Sequence, residues 1–239
     1  MEENSLQYLQ AVLNKDRAEA ESIIAWLIEE LDHDLIKIFK ILSEVQVEIG
    51  ELWAKNIITA ADEHFATPVT LDMISFSSNK VGRSETRAGS AVMLSCVEGE
   101  FHYVGLKMFA EILAKEGWDV QFLGQSLPVR HIVDTLKKKG SKIDLICLSV
   151  TILFNLSSLI ETIRALRRET LLKDVTIIVG GRVFRSKKIR AVIKGDSRDR
   201  LADFVAADIK DALIFLSKLR TKRRKREIIL QEPGLADST

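Results

Sequence analysis

The sequence has few of the features that mark secreted or membrane-spanning proteins. Of its 239 residues only two are cysteine and three are proline. Cys96 and Cys147 lie within apolar runs, which is typical of small buried side chains in a reducing compartment, and they have no metal-ligand spacing. No apolar run approaches the ~20 residues of a membrane-spanning helix. Residues 1–4 lack the basic-then-apolar order of a signal peptide. We therefore expect a cytoplasmic protein.

The sequence also lacks an excess of charge of either sign. It has 35 basic and 34 acidic residues, a formal net charge of +1, which gives no overall attraction to nucleic acid or membranes. It contains no Walker loop, zinc cluster or hydrolase triad. A content of 46% hydrophobic residues is enough to bury one or two cores of normal size.

Apolar residues in the first part of the chain recur with the period of an α-helix. One such run is Leu35, Ile38, Phe39, Leu42, Val45, Ile49 and Leu52. The pattern predicts a bundle of four or five helices over residues 1–84. Pro68 predicts a kink or a break in the last of these helices. Residues 77–89, which are rich in serine, glycine and charge, are predicted to form a linker.

From residue 91 onward, short apolar runs alternate with amphipathic stretches. Strands are predicted at 91–97, 119–123, 144–149 and 175–179, and helices at 104–116, 128–139 and 156–168. This alternation predicts an α/β domain over residues 85–220, with a doubly wound parallel sheet of the Rossmann-like or flavodoxin-like kind. Residues 221–239 are predicted to be a basic and then disordered tail.

Chemically distinctive residues follow three of the predicted strands. After the first come Glu100, Phe101, His102, Tyr103 and Gly105; the third ends at Ser149 and Thr151; the fourth ends at Gly180 and Gly181. The carboxyl ends of parallel strands share one edge of a sheet, where ligands bind. The sequence therefore predicts one ligand site built from all three segments.

The residue types suit a metal-centred ligand. A metal-binding histidine needs one ring nitrogen on the metal and the other held by a carboxylate or carbonyl, and Glu100 is placed to hold His102. Ser149 and Thr151 offer hydroxyls, while Gly180 and Gly181 would let backbone approach a ligand closely. A lone Glu-x-His, or a lone Gly-Gly after a strand, is common, so the signal rests on the combination.

The three segments resemble the cobalamin-binding domain of methionine synthase, corrinoid proteins and B12-dependent mutases, whose signature reads Asp-x-His-x-x-Gly, then Ser-x-Leu, then Gly-Gly. The resemblance implies that His102 binds cobalt from the lower face and displaces the cofactor's own benzimidazole base. It implies further that the displaced nucleotide tail lies in a slot beside Ser149, Thr151, Gly180 and Gly181.

A second pattern lies in the helical part, where Trp53 is followed after nine residues by Glu63 and His64. An indole offers a flat apolar face with one N–H donor, and Glu63 could accept bonds from ribose hydroxyls. This pattern resembles the CarH/LitR-type photoreceptors. The resemblance implies that the three residues contact the upper-face adenosyl group of adenosylcobalamin. The alternative is that Trp53 is a core residue and the Glu-His pair a polar helix end.

Two departures from those photoreceptors bear on function. The chain has no room before its first bundle helix for the MerR-like DNA-binding domain with which such regulators usually begin. In addition, Ala54 stands where some of these receptors have a histidine that becomes the upper ligand after photolysis.

The main hypothesis from the sequence is a non-enzymatic sensor of light and adenosylcobalamin. It would signal through cap movement, through a protein partner, or through a dark homo-oligomer that dissociates on illumination. The alternatives are a corrinoid methyl-carrier subunit serving separate methyltransferases, and a cobalamin storage or delivery protein. The basic run from Arg220 to Arg226 could contact nucleic-acid phosphates, although such runs are more often solvated tails.

Overall fold

The computed structural model describes residues 2–83, 90–138, 143–172, 175–194 and 201–231. Four helices come first: α1 Glu3–Leu13, α2 Arg17–Glu30, α3 Leu35–Ala54 and α4 Ala60–Val81. Side-chain caps fix where the last three begin. Asp16 accepts from the amide of Glu19 at 2.9 Å and Asp34 from that of Ile36 at 2.9 Å, and Thr59 forms a capping box with Asp62.

The remaining elements form a five-stranded parallel sheet with helices between the strands. The strands are β1 Ala91–Val97, β2 Asp119–Leu127, β3 Ile143–Ser149, β4 Thr176–Gly180 and β5 Phe204–Val205. Their order is β2-β1-β3-β4-β5. The chain therefore reverses its winding direction between β1 and β3, and the crevice beyond their carboxyl ends is where such sheets bind ligands.

Helices cover both faces of the sheet, which confirms the predicted doubly wound α/β fold. They are α5 Val104–Lys115, α6 Val129–Lys138, α7 Leu156–Arg168, α8 Lys187–Lys194 and α9 Ile209–Gln231. One face buries Met93, Ile146 and Val179 with residues of α6 and α7. The opposite face buries Val92, Leu94 and Leu145 with residues of α5 and α9.

The helical bundle, called the cap below, packs on the sheet domain through α5. Met108 and Ile112 of α5 are buried within the core of the cap, and Ile209 and Leu213 of α9 lie against it. At the far end of α5, the Lys115 ammonium donates to the carbonyl of His33 at 2.9 Å. The cap is therefore attached to the sheet domain along one flank by an apolar contact.

Two local predictions about α4 were wrong. The helix continues through Pro68, which lies on its exposed side, where the carbonyl that loses its amide partner can be hydrated. It also includes residues 77–81, which had been predicted as linker. The hydroxyls of Ser77 and Ser78 donate to the carbonyls of Met73 and Ile74 at 2.7 and 2.9 Å, so these polar residues remain compatible with a helix. The rest of the predicted linker, residues 84–89, lies outside the described residues.

The second strand is four residues longer than predicted, because β2 extends to Leu127 instead of ending at residue 123. Gly124 and Ser126 have positive φ angles of 80° and 47°, and the pairing of β2 with β1 shifts register there. An irregular strand of this kind has no clean period-two pattern, which is why its end was not found from the sequence.

Candidate cofactor site at the carboxyl edge of the sheet

A buried carboxylate, Glu100, organises the site. Oε1 accepts from the backbone amide of His102 at 2.9 Å and lies 2.5 Å from Nδ1 of the same residue. Oε2 accepts from the amides of Thr151 and Ile152 at 2.8 and 3.3 Å and from the side-chain amide of Asn155 at 3.1 Å. Glu100 thereby joins the segment after β1 to the segment after β3.

These hydrogen bonds keep Glu100 ionised. Burial alone would raise the pKa of the Glu100 carboxyl, but the bonds from His102, Thr151 and Asn155 lower that pKa to about 2. The same carboxylate raises the pKa of His102 above its ordinary value. A permanent negative charge therefore lies against one nitrogen of the imidazole.

The geometry leaves the other imidazole nitrogen for a metal. Nδ1 of His102 is held by Glu100, so Nε2 is the free coordinating atom, and the side chain is 59% exposed. The turn that presents it is held by Gly99, whose amide donates to Oγ of Ser126 at 3.1 Å, while the Ser126 amide donates to the carbonyl of Glu100 at 2.9 Å. The structure thus brings the Glu100–His102 pair together as the sequence predicted.

Ser126 and Asn155 are site residues that sequence reasoning missed. Ser126 lies in the irregular end of β2, and Asn155 lies in the short 3-10 segment Leu153–Asn155 before α7. Both contact the segment around Glu100 from positions 26 or more residues away in the chain. Because Asn155 is both polar and buried, a search for buried polar side chains would find it, but only in a folded structure.

Ser149 and Thr151 play different parts in the structure. Ser149 is buried at the end of β3, paired in register with Cys96 on one side and Gly180 on the other. Burial raises the pKa of the Cys96 thiol to about 12, and the Ser149 hydroxyl is a hydrogen-bond partner of that thiol. Thr151 engages Glu100 through its backbone amide rather than its hydroxyl.

The two glycines after β4 also differ. Gly181 has φ +117°, and a Cβ built on it would lie 2.0 Å from the carbonyl oxygen of Val150. Gly181 is therefore required by the fold itself. A Cβ on Gly180 would meet nothing within 4 Å, so Gly180 borders open space at the carboxyl edge. Gly105 at the start of α5 also borders open space.

Exposed apolar side chains lie in the two segments that Glu100 joins. Phe101 precedes His102, and Ile152, Leu153 and Phe154 follow Thr151; all four are exposed, Phe154 by 89%. Tyr103 instead turns toward the sheet domain, with its ring 6.4 Å from that of Phe122. The site thus offers a free imidazole nitrogen, exposed apolar side chains and glycines that border open space. These features suit a large flat ligand with a metal at its centre.

The cap contributes residues from the junction of α3 and α4. Trp53, in the last turn of α3, is 50% exposed. Glu63, in the first turn of α4, accepts from the Thr67 hydroxyl at 2.9 Å, and its carboxylate is one of the charges that raise the pKa of His102, after Glu100. The His64 side chain is 80% exposed, with Nε2 3.6 Å from Glu63. The charge of Glu63 thus acts on His102, while the His64 side chain lies largely in solvent.

Comparison with known proteins agrees with this geometry. A family profile described as "B12 binding domain" matches residues 90–211, about half of the chain. The chain belongs to the B12-binding domain family. A second profile with the same description matches residues 6–74 of the cap. These matches confirm the expected combination of a helical cap, a Rossmann-like domain and a cofactor of the cobalamin class.

Curated relatives of this B12-binding protein include corrinoid proteins of Methanosarcina. It is 26% identical over 137 residues to dimethylamine corrinoid protein 1 of Methanosarcina mazei, covering 57% of this chain and 60% of that protein. It is 26% identical over 172 residues to trimethylamine corrinoid protein 1 of the same organism, covering 71% and 75%. The chain thus spans about three fifths of the length of the first of these relatives.

A solved structure shares the fold. The monomethylamine corrinoid protein of Methanosarcina barkeri superposes with a TM-score of 0.71 at 18% identity, over 88% of this chain and 95% of that one. At this identity the likeness concerns the fold, including the placement of a helical bundle before the parallel sheet.

These relatives correct the main functional prediction. They are dimethylamine and trimethylamine corrinoid proteins, so the prediction of a light-responsive sensor was wrong. The expected homo-oligomer stays a prediction. The misleading signal was the Trp53, Glu63 and His64 spacing. In the structure Glu63 is hydrogen-bonded within the cap to Thr67 and the His64 side chain is largely exposed. This spacing therefore also occurs in a chain whose relatives are corrinoid proteins.

The remaining predictions concern the tail and the membrane. Arg220 lies over the Trp118 ring at 5.8 Å and 3.7 Å from Glu116, so this first residue of the basic run has protein partners. The basic run belongs to α9, which continues to Gln231, so the prediction of a basic tail beginning at residue 221 was wrong. Residues 232–239 of the predicted disordered end lie outside the described residues. Within the ranges that the structure describes, no helix has both the length and the apolar character needed to cross a membrane.

Proposed function

We propose that this protein is a corrinoid methyl carrier that serves separate methyltransferases. The observation that carries the proposal is the match to methylamine corrinoid proteins. The Glu100–His102 pair supports it, because Glu100 holds Nδ1 and leaves Nε2 available to bind a metal from the lower face. When bound, cobalamin would supply a cobalt centre that accepts a methyl group from a donor molecule on one methyltransferase and gives it to an acceptor molecule on another. The work of this chain is to hold, orient and shield that centre.

His102 and Glu100 would hold the lower face. The Glu100 carboxylate fixes the imidazole so that Nε2 faces the metal. Because Glu100 also raises the pKa of His102, the imidazole readily takes a proton on Nε2 whenever this nitrogen is released from the metal. The Glu100 network would thus stabilise His102 both as a metal ligand and as a protonated imidazole.

The nucleotide tail of the cofactor would lie along the carboxyl edge beside Gly180 and Ser149. Gly180 borders open space, and Ser149 is its register partner on β3. The exposed rings of Phe101 and Phe154 would be covered by the apolar edge of the corrin. Gly181 keeps this edge in place through its close approach to Val150.

Trp53, Glu63 and His64 would lie on the upper side, where the cap closes over the metal. A methyl group is small, so the half-exposed indole of Trp53 could cover it without a dedicated adenosyl pocket. In this proposal the cofactor form in use is methylated rather than adenosylated. Methylated amines are the donor class that the relatives' names favour.

Binding of three cobalamins by the full chain tests the proposal. The dissociation constants of methylcobalamin and hydroxocobalamin should be no more than about threefold higher than that of adenosylcobalamin. Absorption titration in the dark measures all three. A preference of about tenfold or more for adenosylcobalamin, roughly 1.4 kcal/mol, would overturn the methyl-carrier assignment. Arg164→Glu, a charge change on the exposed side of α7, serves as the control for effects unrelated to the site.

A transfer assay provides the second part of the test. The chain loaded with methyl-labelled cobalamin should retain its label alone, and lose it to a thiol acceptor when a corrinoid-dependent methyltransferase is added. His102→Ala should reduce both loading and transfer. Retention of all label in the presence of active methyltransferases of the methylamine class would favour a storage or delivery role.

A further inference from the structure

The cap meets the sheet domain in two different ways on its two flanks. On the α5 flank the contact is apolar, because Met108 and Ile112 lie inside the cap core. On the opposite flank, α3 faces the 3-10 segment Arg182–Arg185 across an open groove of about 490 Å³. The groove is lined by Glu2, Ser43, Glu44, Val47, Glu48 and Arg185.

Charge of opposite sign lies on the two sides of this groove. Glu44, Glu48 and Glu51 are spaced four and three residues apart along α3, so they share one face of the helix. Arg185 lines the other side of the groove, and Arg182 lies in the same 3-10 segment beside it. Glu51 Oε1 is 3.9 Å from a guanidinium nitrogen of Arg182, and both side chains are about half exposed.

The arginine side of the groove is firmly anchored. Val183 and Phe184 are buried in the sheet-domain core, and the Arg190 guanidinium donates to the carbonyls of Phe184 and Arg185. Gly181 immediately before it is locked against Val150. The arginines therefore move with the sheet domain, while the glutamates move with the cap.

Residues on both sides of the groove lie close in the sequence to residues of the proposed cofactor site. Arg182 follows Gly180 by two residues, and Glu51 precedes Trp53 by two residues. A rotation of the cap about its apolar α5 flank, away from the 3-10 segment, would widen this groove. Separating exposed, solvent-screened charges requires much less free energy than separating an apolar core.

We propose that Glu44, Glu48 and Glu51 of α3 and Arg182 and Arg185 of the sheet domain form an electrostatic latch that holds the cap closed over the metal site. The apolar α5 flank acts as the hinge. The latch regulates access to the site that the proposed function uses, but it is a property of the apo chain and does not depend on which group is carried.

Distance measurement between two spin labels tests the latch directly. Both native cysteines are buried, so new cysteines at exposed Ser22 in α2 and exposed Ser157 in α7 can be labelled selectively. In the full chain at low salt, Arg182→Glu should shift the Ser22–Ser157 distance distribution to longer and broader values. The double variant Glu51→Arg/Arg182→Glu should restore the distribution of the unmutated chain.

Controls separate the latch from general electrostatic effects. Arg164→Glu makes the same charge change on α7, away from the groove, and should leave the distribution unchanged. Raising the salt concentration to 1 M should move the unmutated chain toward the Arg182→Glu distribution and have little effect on that variant. An unchanged distribution in Arg182→Glu, or failure of the charge swap to restore closure, would overturn the latch. The binding and transfer assays above do not depend on this outcome.

Discussion

Asn155 donates its side-chain amide to Oε2 of Glu100 at 3.1 Å, while Oε1 of the same carboxylate holds His102. Asn155 and His102 thus contact different oxygens of the buried Glu100 carboxylate. Asn155 also donates to the carbonyl of Gly99 at 3.2 Å, so one side chain braces both the carboxylate and the turn that precedes it. His102 is therefore positioned by contacts that reach from β1 to the start of α7.

Removing this brace should weaken cofactor binding without removing the metal ligand. We expect Asn155→Ala to lower cobalamin affinity by roughly tenfold, since supporting residues of metal-binding histidines have effects of that order. Asn155→Asp should be worse, because it places a second carboxylate against buried Glu100. Absorption titration checks both variants, with Asn79→Ala on the surface of α4 as the control. Equal affinity of Asn155→Ala and the unmutated chain would contradict the brace.

The lower ligand itself has a spectroscopic test. If His102 coordinates cobalt, the cofactor binds with its own base displaced and histidine in its place. His102→Ala should then both weaken binding and alter the absorption spectrum of the cofactor that remains bound. Trp53→Ala, in the cap, should retain the spectrum of histidine ligation. An unaltered spectrum and affinity in His102→Ala would remove the assignment of His102 as the ligand.

The two adjacent glycines should respond differently to alanine. In Gly181→Ala the new Cβ would collide with the Val150 carbonyl at a positive φ, and we expect a loss of roughly 2–4 kcal/mol in the free energy of unfolding. Gly180→Ala should fold with stability within about 1 kcal/mol of the unmutated chain, because its Cβ meets open space. It should nevertheless bind cobalamin at least several-fold more weakly. Thermal unfolding and titration separate the effects, and normal cofactor affinity in Gly180→Ala would place the ligand elsewhere.

The Glu100–His102 pair should make apo stability depend on pH. The folded pKa of His102 is raised, so its contribution is fully present below the unfolded value of 6.5 and is lost as pH rises through the folded value. The folded pKa of Glu100 is lowered to about 2, so its contribution is present above the unfolded value of 4.5 and is lost as pH falls toward 2. The stability advantage of the unmutated chain over His102→Gln should therefore be larger at pH 6 than at pH 9. A difference in unfolding temperature that is the same at both pH values would contradict this linkage.

Local patterns in the sequence predicted a large part of the fold. The strand Ala91–Val97 and the helix Leu156–Arg168 have the predicted boundaries, because clean apolar periodicity and flanking turn residues define both. The Glu100–His102 pair was also found from local spacing, since the two residues are only two apart. The end of β2 and the continuation of α4 were missed, because register shifts and serine hydroxyls bonded to helix carbonyls leave no periodic signal.

The sequence by itself determined the doubly wound sheet, the helical cap and the segment that carries His102. Only the tertiary structure decided which residues complete the site, because Ser126 and Asn155 reach Glu100 and its turn across long stretches of chain. It also separated Gly180, which borders the ligand space, from Gly181, which the fold requires. The spacing of Trp53, Glu63 and His64 could not distinguish a sensor from a carrier. A tryptophan and a Glu-His pair at a helix junction also satisfy the packing and hydration of the cap, and their roles depend on what packs against them.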